Sequence, residues 1–256
     1  MKSTREKAQN IQAILFDVDD TLYDQVHPFA KAYDTLFGKT YSLSMNQLFA
    51  SSRRHSDEVF QQSRSGAISM EEMYIYRIQR AFADFKISIS DDLALEFQRL
   101  YAENQEHLQL SETAKNILNM CRKRGIVTGV ITNGPSDHQW KKVETLGVRA
   151  WVPKEAIFVS DDVGAAKPDR KIFDFAAKKL GLDPQKTCFV GDSFDNDIRG
   201  AKMAGWQAIW LNRRKSLVTA VDLQPDYYVE NEETLLEILE SLTRHLVSWS
   251  EDERVE

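Results

Sequence analysis

The chain has 256 residues, and its 33 Lys and Arg against 39 Asp and Glu give a formal net charge of −6. With 42% hydrophobic and 28% charged residues, it has the composition of an ordinary globular protein, which excludes a disordered or fibrous chain. The mild acidity argues against a nucleic-acid polymer as partner, and no run approaches the roughly 20 apolar residues of a membrane span.

Residues 1–10 have the character of a loose polar arm, and five short apolar runs follow, each bounded by polar loops. Such runs are typical of strands buried on both faces of a parallel sheet. They lie at 11–16, 126–132, 156–159, 187–190 and 207–211. Helical patterns alternate with the later runs, at 115–124, 139–146, 169–180 and 195–204. The alternation predicts an α/β fold with a doubly wound, mostly parallel, Rossmann-like sheet.

The region 24–110 breaks this alternation, because it has helical spacing without convincing strands. Three apolar stripes recur at helical spacing. They comprise Phe29, Tyr33 and Phe37; Met70, Tyr74, Ile78, Ala81 and Phe85; and Leu93, Phe97, Leu100 and Tyr101. We therefore expect an α/β domain formed by residues 1–23 and 111–256, with a helical domain of residues 24–110 inserted after the first strand.

A pair of carboxylates follows the first predicted strand. In an extended chain, Asp17 and Asp19 point to the same side. Ligands of open parallel sheets bind at the carboxyl ends of the strands. Two like charges at that edge are costly unless a cation shares them, and carboxylate oxygens suit Mg²⁺.

Three other segments place polar residues at strand ends or helix starts. Asp192, with Asp197 five residues on, follows the run 187–190. Thr132 and Asn133 end the run 126–132, and Lys167 stands beside a rigid proline just before a helix. Each segment alone is weak evidence, but their order and placement along one sheet favour a single site.

Two cysteines cannot form a disulfide framework, and the amino-terminal residues contain no apolar core of a signal peptide. We therefore expect reduced thiols in the cytoplasm.

The motifs Asp17-Val18-Asp19-Asp20-Thr21, Thr132-Asn133-Gly134, Lys167-Pro168 and Gly191-Asp192 with Asp197 resemble, in the same order, the four motifs of the haloacid dehalogenase-like (HAD) superfamily. The longer strings around the second, third and fourth motifs are similar to its phosphatase branch, such as the pyrimidine 5'-nucleotidases and the N-acylneuraminate-9-phosphatases. The helical insert resembles the type-one cap of that family.

This resemblance, with the chemistry of phosphate esters, implies a Mg²⁺-dependent phosphatase. Asp17 is the candidate nucleophile, since a carboxylate is already ionised at neutral pH and needs no base. Asp19 is the candidate general acid, which favours phosphoryl transfer, because expelled halide needs no proton. We expect Mg²⁺ to be held by the Asp17 carboxylate, the Asp19 carbonyl and Asp192.

Further roles complete the expected site. Thr132, Asn133 and Lys167 are the candidate substrate-binding residues, and the resemblance suggests Asp197 as a supporting carboxylate that orients Lys167 or a metal-bound water. The expected partner is a small phosphorylated metabolite, a nucleotide or sugar phosphate, acted on by a monomer or homodimer. Arg53 or Arg54 could meet an acidic substrate, although solvated helix charges are commoner.

Three alternatives stay open at this point. A phosphomutase of the same superfamily would return the phosphoryl group to a second hydroxyl. A phospho-accepting regulatory domain also combines Asp, Thr or Ser, Lys and Mg²⁺ on a doubly wound sheet, but it lacks the second acid and the insert. A silent binding protein is disfavoured by the intact acids.

Overall fold

The structure is a computed structural model that describes residues 11–216 and 223–244. The predicted polar arm at 1–10 lies outside the described residues. The chain divides into two compact units, an α/β unit made of Met1–Tyr23 with Gln109–Glu256, and a helical unit, Asp24–Leu108.

Strands and helices alternate through the α/β unit, whereas the helical unit contains helices alone among its described elements. The strands are β1 (Ala13–Phe16), β2 (Val127–Thr132), β3 (Ile157–Val159), β4 (Thr187–Gly191), β5 (Gln207–Leu211) and β6 (Tyr227–Val229). The helices are α1 (Val26–Phe37), α2 (Met45–Arg64), α3 (Met70–Ala83), α4 (Asp91–Gln105), α5 (Glu112–Lys123), α6 (Ser136–Thr145), α7 (Ser160–Val163), α8 (Arg170–Leu180), α9 (Arg199–Met203) and α10 (Glu232–Leu242).

Within the described ranges, the strands form one sheet in the order β3-β2-β1-β4-β5-β6, and every pairing is parallel. The strand β1 lies between β2 and β4, and its four residues are buried, as expected of a strand covered on both faces. The order places the carboxyl ends of β1, β2 and β4 side by side. The predicted doubly wound α/β fold is thereby confirmed.

The core of the α/β unit forms where large aromatic side chains from neighbouring elements interlock. Phe173 of α8 makes edge-to-face contacts with Phe189 of β4 and with Trp206, at centroid distances of 5.3 and 5.4 Å. A Cβ at Gly200 of α9 would lie only 2.5 Å from the ring of Phe173, so this helix packs closely because the residue is glycine. These contacts fix the segment after β4 against α8.

The helical unit has its own core, made by the apolar faces of α1, α2, α3 and α4. Phe29 is central to this core and lies 5.3, 4.8 and 5.6 Å from the rings of Phe49, Phe97 and Tyr101. The predicted stripe of α1 is buried, but that of α3 is partly wrong, since Met70 is half exposed. The buried face of α3 instead carries Met73, Arg77, Ile78, Ala81 and Phe82.

The sequence patterns missed the strand β6 and the helix α10, the last two elements of the described chain. The strand β6 pairs with β5 but has one buried residue in three, so no apolar run marks it. The predicted helix 195–204 is divided into a π-helical turn, Phe194–Ile198, and the short α9.

Among the described residues, no helix combines the length and the apolar character needed to cross a bilayer.

Candidate active site

Lys167 connects the separate motifs at the carboxyl edge of the sheet. Its ammonium lies 2.5 Å from Oδ1 of Asp17, just after β1, and 2.7 Å from Oδ1 of Asp197. It also donates to the carbonyl of Ile131 in β2, at 2.9 Å. The side chain of Lys167 is 2% exposed, so water screens these interactions poorly. Three segments more than 30 residues apart in the chain thus meet on one ammonium.

The electrostatic balance at Asp17 differs from the sequence expectation. Burial raises the pKa of Asp17 to about 7, against the lowering effect of Lys167, and the charges of Asp197 and Asp19 raise it further. Burial alone would lower the pKa of Lys167, but the carboxylates of Asp17 and Asp197 raise it above its usual value. Burial therefore opposes the ionisation that the sequence analysis expects of Asp17, and a bound cation would favour its carboxylate form.

Asp17, Asp192 and Asp197 have the donor set of a hard cation. Each of them places one carboxylate oxygen within 4.8 Å of the others. Burial, followed by the charges of Asp197 and Asp17, raises the pKa of Asp192 well above its usual value. The like charges are thus only partly compensated by Lys167, and the oxygen-only set fits Mg²⁺. The predicted ligands Asp17 and Asp192 come together, whereas the side chain of Asp19 lies outside this cluster.

Gly191 allows Asp197 to reach the cluster. A Cβ at this position would lie 2.3 Å from Oδ2 of Asp197, which is closer than real carbon atoms approach an oxygen. The same Oδ2 accepts a hydrogen bond of 2.9 Å from the backbone N–H of Ser193, at the start of the π-helical turn. The turn therefore folds the Asp197 carboxylate back over the end of β4. The indole of Trp210, in β5, donates to the carbonyl of Asp192 at 2.7 Å.

The structure places the Asp19 carboxylate against a residue that the sequence analysis missed. Nζ of Lys142, in α6, donates to both carboxylate oxygens, at 2.7 and 2.6 Å. The phenol of Tyr23 donates to Oδ1 of Asp19. Lys142 is buried on the same face of α6 as Gln139 and Val143, and this spacing of three and four residues was the available signal. Asp19 is therefore held in one orientation from two sides.

The predicted substrate-binding residues of the second motif have intramolecular partners here. The hydroxyl of Thr132 donates to Oε1 of Gln139 at 3.1 Å, and both residues are buried. Asn133 donates to the carbonyl of Lys167 at 2.8 Å and accepts from its N–H at 2.9 Å. This two-point contact positions the loop of Lys167, where the Lys167–Pro168 bond is cis. The side chain of Asn133 thus acts on the lysine loop in this structure, and its substrate role stays a prediction.

Two arginines that follow β5 hold the loop that follows β1. Arg213 donates to the carbonyls of Asp20 and Thr21, at 2.9 and 3.0 Å, and forms an ion pair with Glu232. Arg214 lies 2.7 Å from Oδ1 of Asp20, whose φ of +56° is in the left-handed region. The sequence analysis did not single out these arginines, although a basic pair that begins two residues after a buried strand was visible. They fix the backbone that carries Asp19.

Comparisons with known proteins identify the family of this chain. A family model of haloacid dehalogenase-like hydrolases matches residues 11–205. The chain therefore belongs to the haloacid dehalogenase-like hydrolases, and the predicted resemblance and the prediction of a hydrolytic enzyme are confirmed.

Curated relatives and a solved structure agree with this assignment. The glyceraldehyde 3-phosphate phosphatase of Methanopyrus kandleri is 28% identical over 243 residues, covering 91% of this chain and 99% of the relative. The pyrimidine 5'-nucleotidase YjjG of Escherichia coli is 38% identical over 100 residues, or 39% of this chain and 43% of the relative. The structure of the putative HAD-hydrolase YfnB of Bacillus subtilis, bound to magnesium, matches with a TM-score of 0.64 at 24% identity, covering 90% and 99% of the two chains. At 24% identity, the likeness to the YfnB structure shows that the two chains share a fold.

Proposed function

We propose that the chain is a Mg²⁺-dependent phosphatase that hydrolyses a small phosphomonoester through an aspartyl-phosphate on Asp17. The observation that carries the proposal is the cluster of Asp17, Asp192 and Asp197 around Lys167 at the carboxyl edge of the sheet. The names of the two curated relatives support small phosphorylated metabolites as substrates. Within that class we propose a nucleotide or a sugar phosphate.

In the first step, a carboxylate oxygen of Asp17 attacks phosphorus, and the bond from phosphorus to the ester oxygen breaks. Asp19 enters this step as the carboxylic acid and gives its proton to that oxygen, so the leaving group departs as a neutral alcohol and Asp19 becomes a carboxylate. Lys167 offsets the negative charge of the phosphoryl oxygens, because its ammonium is already held beside Asp17.

In the second step, Asp19 acts as the base. It takes a proton from water as the water oxygen attacks phosphorus, and the bond from phosphorus to Asp17 breaks, which frees inorganic phosphate. The contacts of Lys142 and Tyr23 with Asp19 hold its carboxylate in place for both proton transfers. An acid at this position favours phosphoryl transfer over dehalogenation, because a halide leaves without a proton.

Asp17, Asp192 and the carbonyl of Asp19 would hold Mg²⁺, with Asp197 as the supporting carboxylate. The bound cation would supply positive charge to the nucleophile and to the phosphoryl oxygens. The helical unit is proposed as the type-one cap of this family, with residues 24–110 as cap and residues 1–23 and 111–256 as catalytic core. The buried free thiols of Cys121 and Cys188 support a reducing cytoplasm as the location.

The test is a panel of phosphomonoesters assayed with and without EDTA, using the purified wild-type chain and the Asp17→Asn variant. We expect release of inorganic phosphate that stops on chelation, returns with Mg²⁺ and is lost in the variant. Unchanged activity of Asp17→Asn would remove the nucleophile from the proposal. An isomerised phosphate ester without free phosphate would instead favour the phosphomutase, and label retained on Asp17 without turnover would favour a regulatory domain.

A further inference from the structure

The segment that leaves β5 donates hydrogen bonds to both loops that carry the proposed metal ligands, although it contributes no such ligand itself. From β5, the indole of Trp210 donates to the carbonyl of Asp192, in the loop after β4, at 2.7 Å. Arg213, two residues beyond the strand, donates to the carbonyls of Asp20 and Thr21, in the loop after β1, at 2.9 and 3.0 Å. Trp210 and Arg213, the β5 clamp, thus connect two loops that are far apart in the chain.

Arg213 is suited to fix the direction of the Asp19 carbonyl, which is one of the proposed ligands. Its Nε and Nη2 reach two successive carbonyls, and the planar guanidinium ties these two donors to one orientation. The φ of Asp20, +56°, is a rotation between the Asp19–Asp20 peptide plane and the carbonyls that Arg213 holds. A left-handed φ is unfavourable for a residue other than glycine, so it persists only where surrounding contacts hold it. Arg213 supplies two such contacts, and Arg214 supplies a third through Oδ1 of Asp20.

Trp210 acts on the loop after β4 through a ring that is itself held in place. In the parallel pairing of β4 with β5, Trp210 lies opposite Gly191, the residue before Asp192. The indole is buried and makes edge-to-face contacts with Phe194 and Tyr228, at centroid distances of 5.2 and 5.4 Å. The hydrogen bond to the carbonyl of Asp192 therefore comes from a donor with a fixed position.

The support of the β5 clamp is closed by contacts of its own. The side chain of Asn212 accepts from the N–H of Ser216 at 2.8 Å and donates to the carbonyl of Ser216 at 3.0 Å. The backbone N–H of Asn212 donates to the carbonyl of Val229, in β6, at 2.8 Å. Arg213 is also anchored by its buried ion pair with Glu232. None of these contacts involves a proposed metal ligand, so the support of the clamp does not depend on a bound cation.

The metal-free site contains a repulsion that the β5 clamp opposes. Asp17, Asp192 and Asp197 each place a carboxylate oxygen within 4.8 Å of the others. Lys167 contacts Asp17 and Asp197, and its single ammonium offsets only part of the negative charge. Like charges this close drive apart the loops that carry them unless the backbone is held. The hydrogen bonds of the clamp act on backbone carbonyls, so they hold the loops without neutralising any carboxylate.

We propose that Trp210 and Arg213 are positioning residues, which hold the loops of Asp19 and Asp192 in one conformation before a cation binds. Residues that act on metal ligands from outside the coordination sphere typically contribute about 10–100-fold to metal affinity. The β5 clamp would contribute in this way because the site is spared the cost of ordering its ligands on binding. The identity of the cation, Mg²⁺, rests on the proposed function, whereas the hold on the two loops does not.

The first arm of the test measures the affinity for Mg²⁺ by calorimetry and does not depend on turnover. Trp210→Phe keeps an aromatic ring but removes the N–H, and Arg213→Lys keeps a positive charge but removes the fork that reaches two carbonyls. We expect each substitution to raise Kd for Mg²⁺ by about 10-fold or more. The matched controls are Trp140→Phe, which loses an indole hydrogen bond to Asp162, and Arg170→Lys, at an exposed position of α8. Each control should change Kd by less than about 2-fold.

The second arm measures hydrogen–deuterium exchange in the metal-free protein. Arg213→Lys should speed exchange by about 10-fold in the peptide 17–22, and Trp210→Phe should do so in the peptide 191–198, because each loop loses contacts that hold it closed. Exchange in α8 should stay unchanged in both variants. A purely structural role would instead speed exchange by a similar factor in all three segments.

The outcomes separate the β5 clamp from the proposed function. Kd values within about 2-fold of the wild type in both variants would overturn the clamp, even if their thermal stability falls. A wild-type chain that binds no Mg²⁺ would remove the metal from the proposed function, and the exchange arm would still decide the clamp. Local acceleration would then support it, and uniform or absent acceleration would overturn it. If Arg213→Lys does not fold, Trp210→Phe decides both arms.

Discussion

Replacing Lys167 by methionine should destabilise the α/β unit in a way that depends on pH and on Mg²⁺. The substitution keeps most of the side-chain length but removes the ammonium that contacts Asp17, Asp197 and the carbonyl of Ile131. Breaking a buried ion pair by removing one partner typically costs about 3–5 kcal/mol, because the remaining charge is uncompensated. With a side chain 2% exposed and two carboxylates left behind, we expect Lys167→Met to fall within this range at about pH 8 in EDTA.

The sign of the pH dependence follows from Asp17. Its folded-state pKa of about 7 lies above the ordinary aspartate value of 3.8, so the stability that the raised pKa contributes is fully present below about pH 4 and is lost as pH rises through about 7. Without Lys167 that pKa rises further, and the carboxyl avoids the penalty by binding a proton. We therefore expect the loss of unfolding free energy in Lys167→Met to shrink towards about pH 5. Mg²⁺ should restore much of the stability at high pH, but not the activity.

The assay is urea unfolding followed by tryptophan fluorescence. All five tryptophans of the sequence lie outside residues 24–108, so the signal reports the α/β unit. The matched control is Lys171→Met, whose side chain is 80% exposed and whose loss should cost less than about 0.5 kcal/mol. Equal losses in the two variants at high pH, or a larger loss at low pH, would refute the proposed balance of charges.

Three further outcomes test the site. Lys142→Met should slow the hydrolysis of alkyl phosphates by about 10-fold or more, and that of p-nitrophenyl phosphate less, because Asp19 loses its two contacts with the ammonium. Steady-state kinetics measure both rates, with Lys141→Met as the control. Equal slowing of the two esters would contradict this role of Lys142. Gly191→Ala should abolish most activity and cost about 1–3 kcal/mol, because its Cβ displaces Asp197; a crystal structure with Asp197 unmoved would show the reasoning to be wrong. The affinity for Mg²⁺, measured by calorimetry, should rise from about pH 6 to about pH 8, because the cation displaces the proton that burial places on Asp17; a flat profile would exclude this competition.

The sequence was sufficient for the features that depend on local patterns. Apolar runs of four to seven residues located β1 to β5 within about two residues at either end, since burial on both faces leaves a continuous signal. The order of the motifs placed Asp17, Lys167, Asp192 and Asp197 at one edge, because the carboxyl ends of parallel strands share that edge.

Contacts between side chains distant in the chain could not be found in this way. Lys142 and Asp19 are separated by 123 positions, and no periodicity links an ion pair of that separation. The pairing of Arg213 with the carbonyls of Asp20 and Thr21 is likewise a tertiary contact, which depends on how the loops after β1 and β5 pack. The buried side of α3 was misjudged because its polar Arg77 occupies a position that an apolar pattern assigns to solvent.

The ion pair of Arg213 and Glu232 has a consequence for how this fold varies. Arg213 binds the carbonyl of Thr21, near the point where the chain leaves the α/β unit, and Glu232 accepts from Ser111, near the point where the chain returns. The two ends of the intervening 24–108 stretch are thus tethered to a single pair of side chains. Because closing a longer loop adds only a small entropic cost once its ends are held, this junction can accept exchange, shortening or enlargement of the insert while the sheet stays intact.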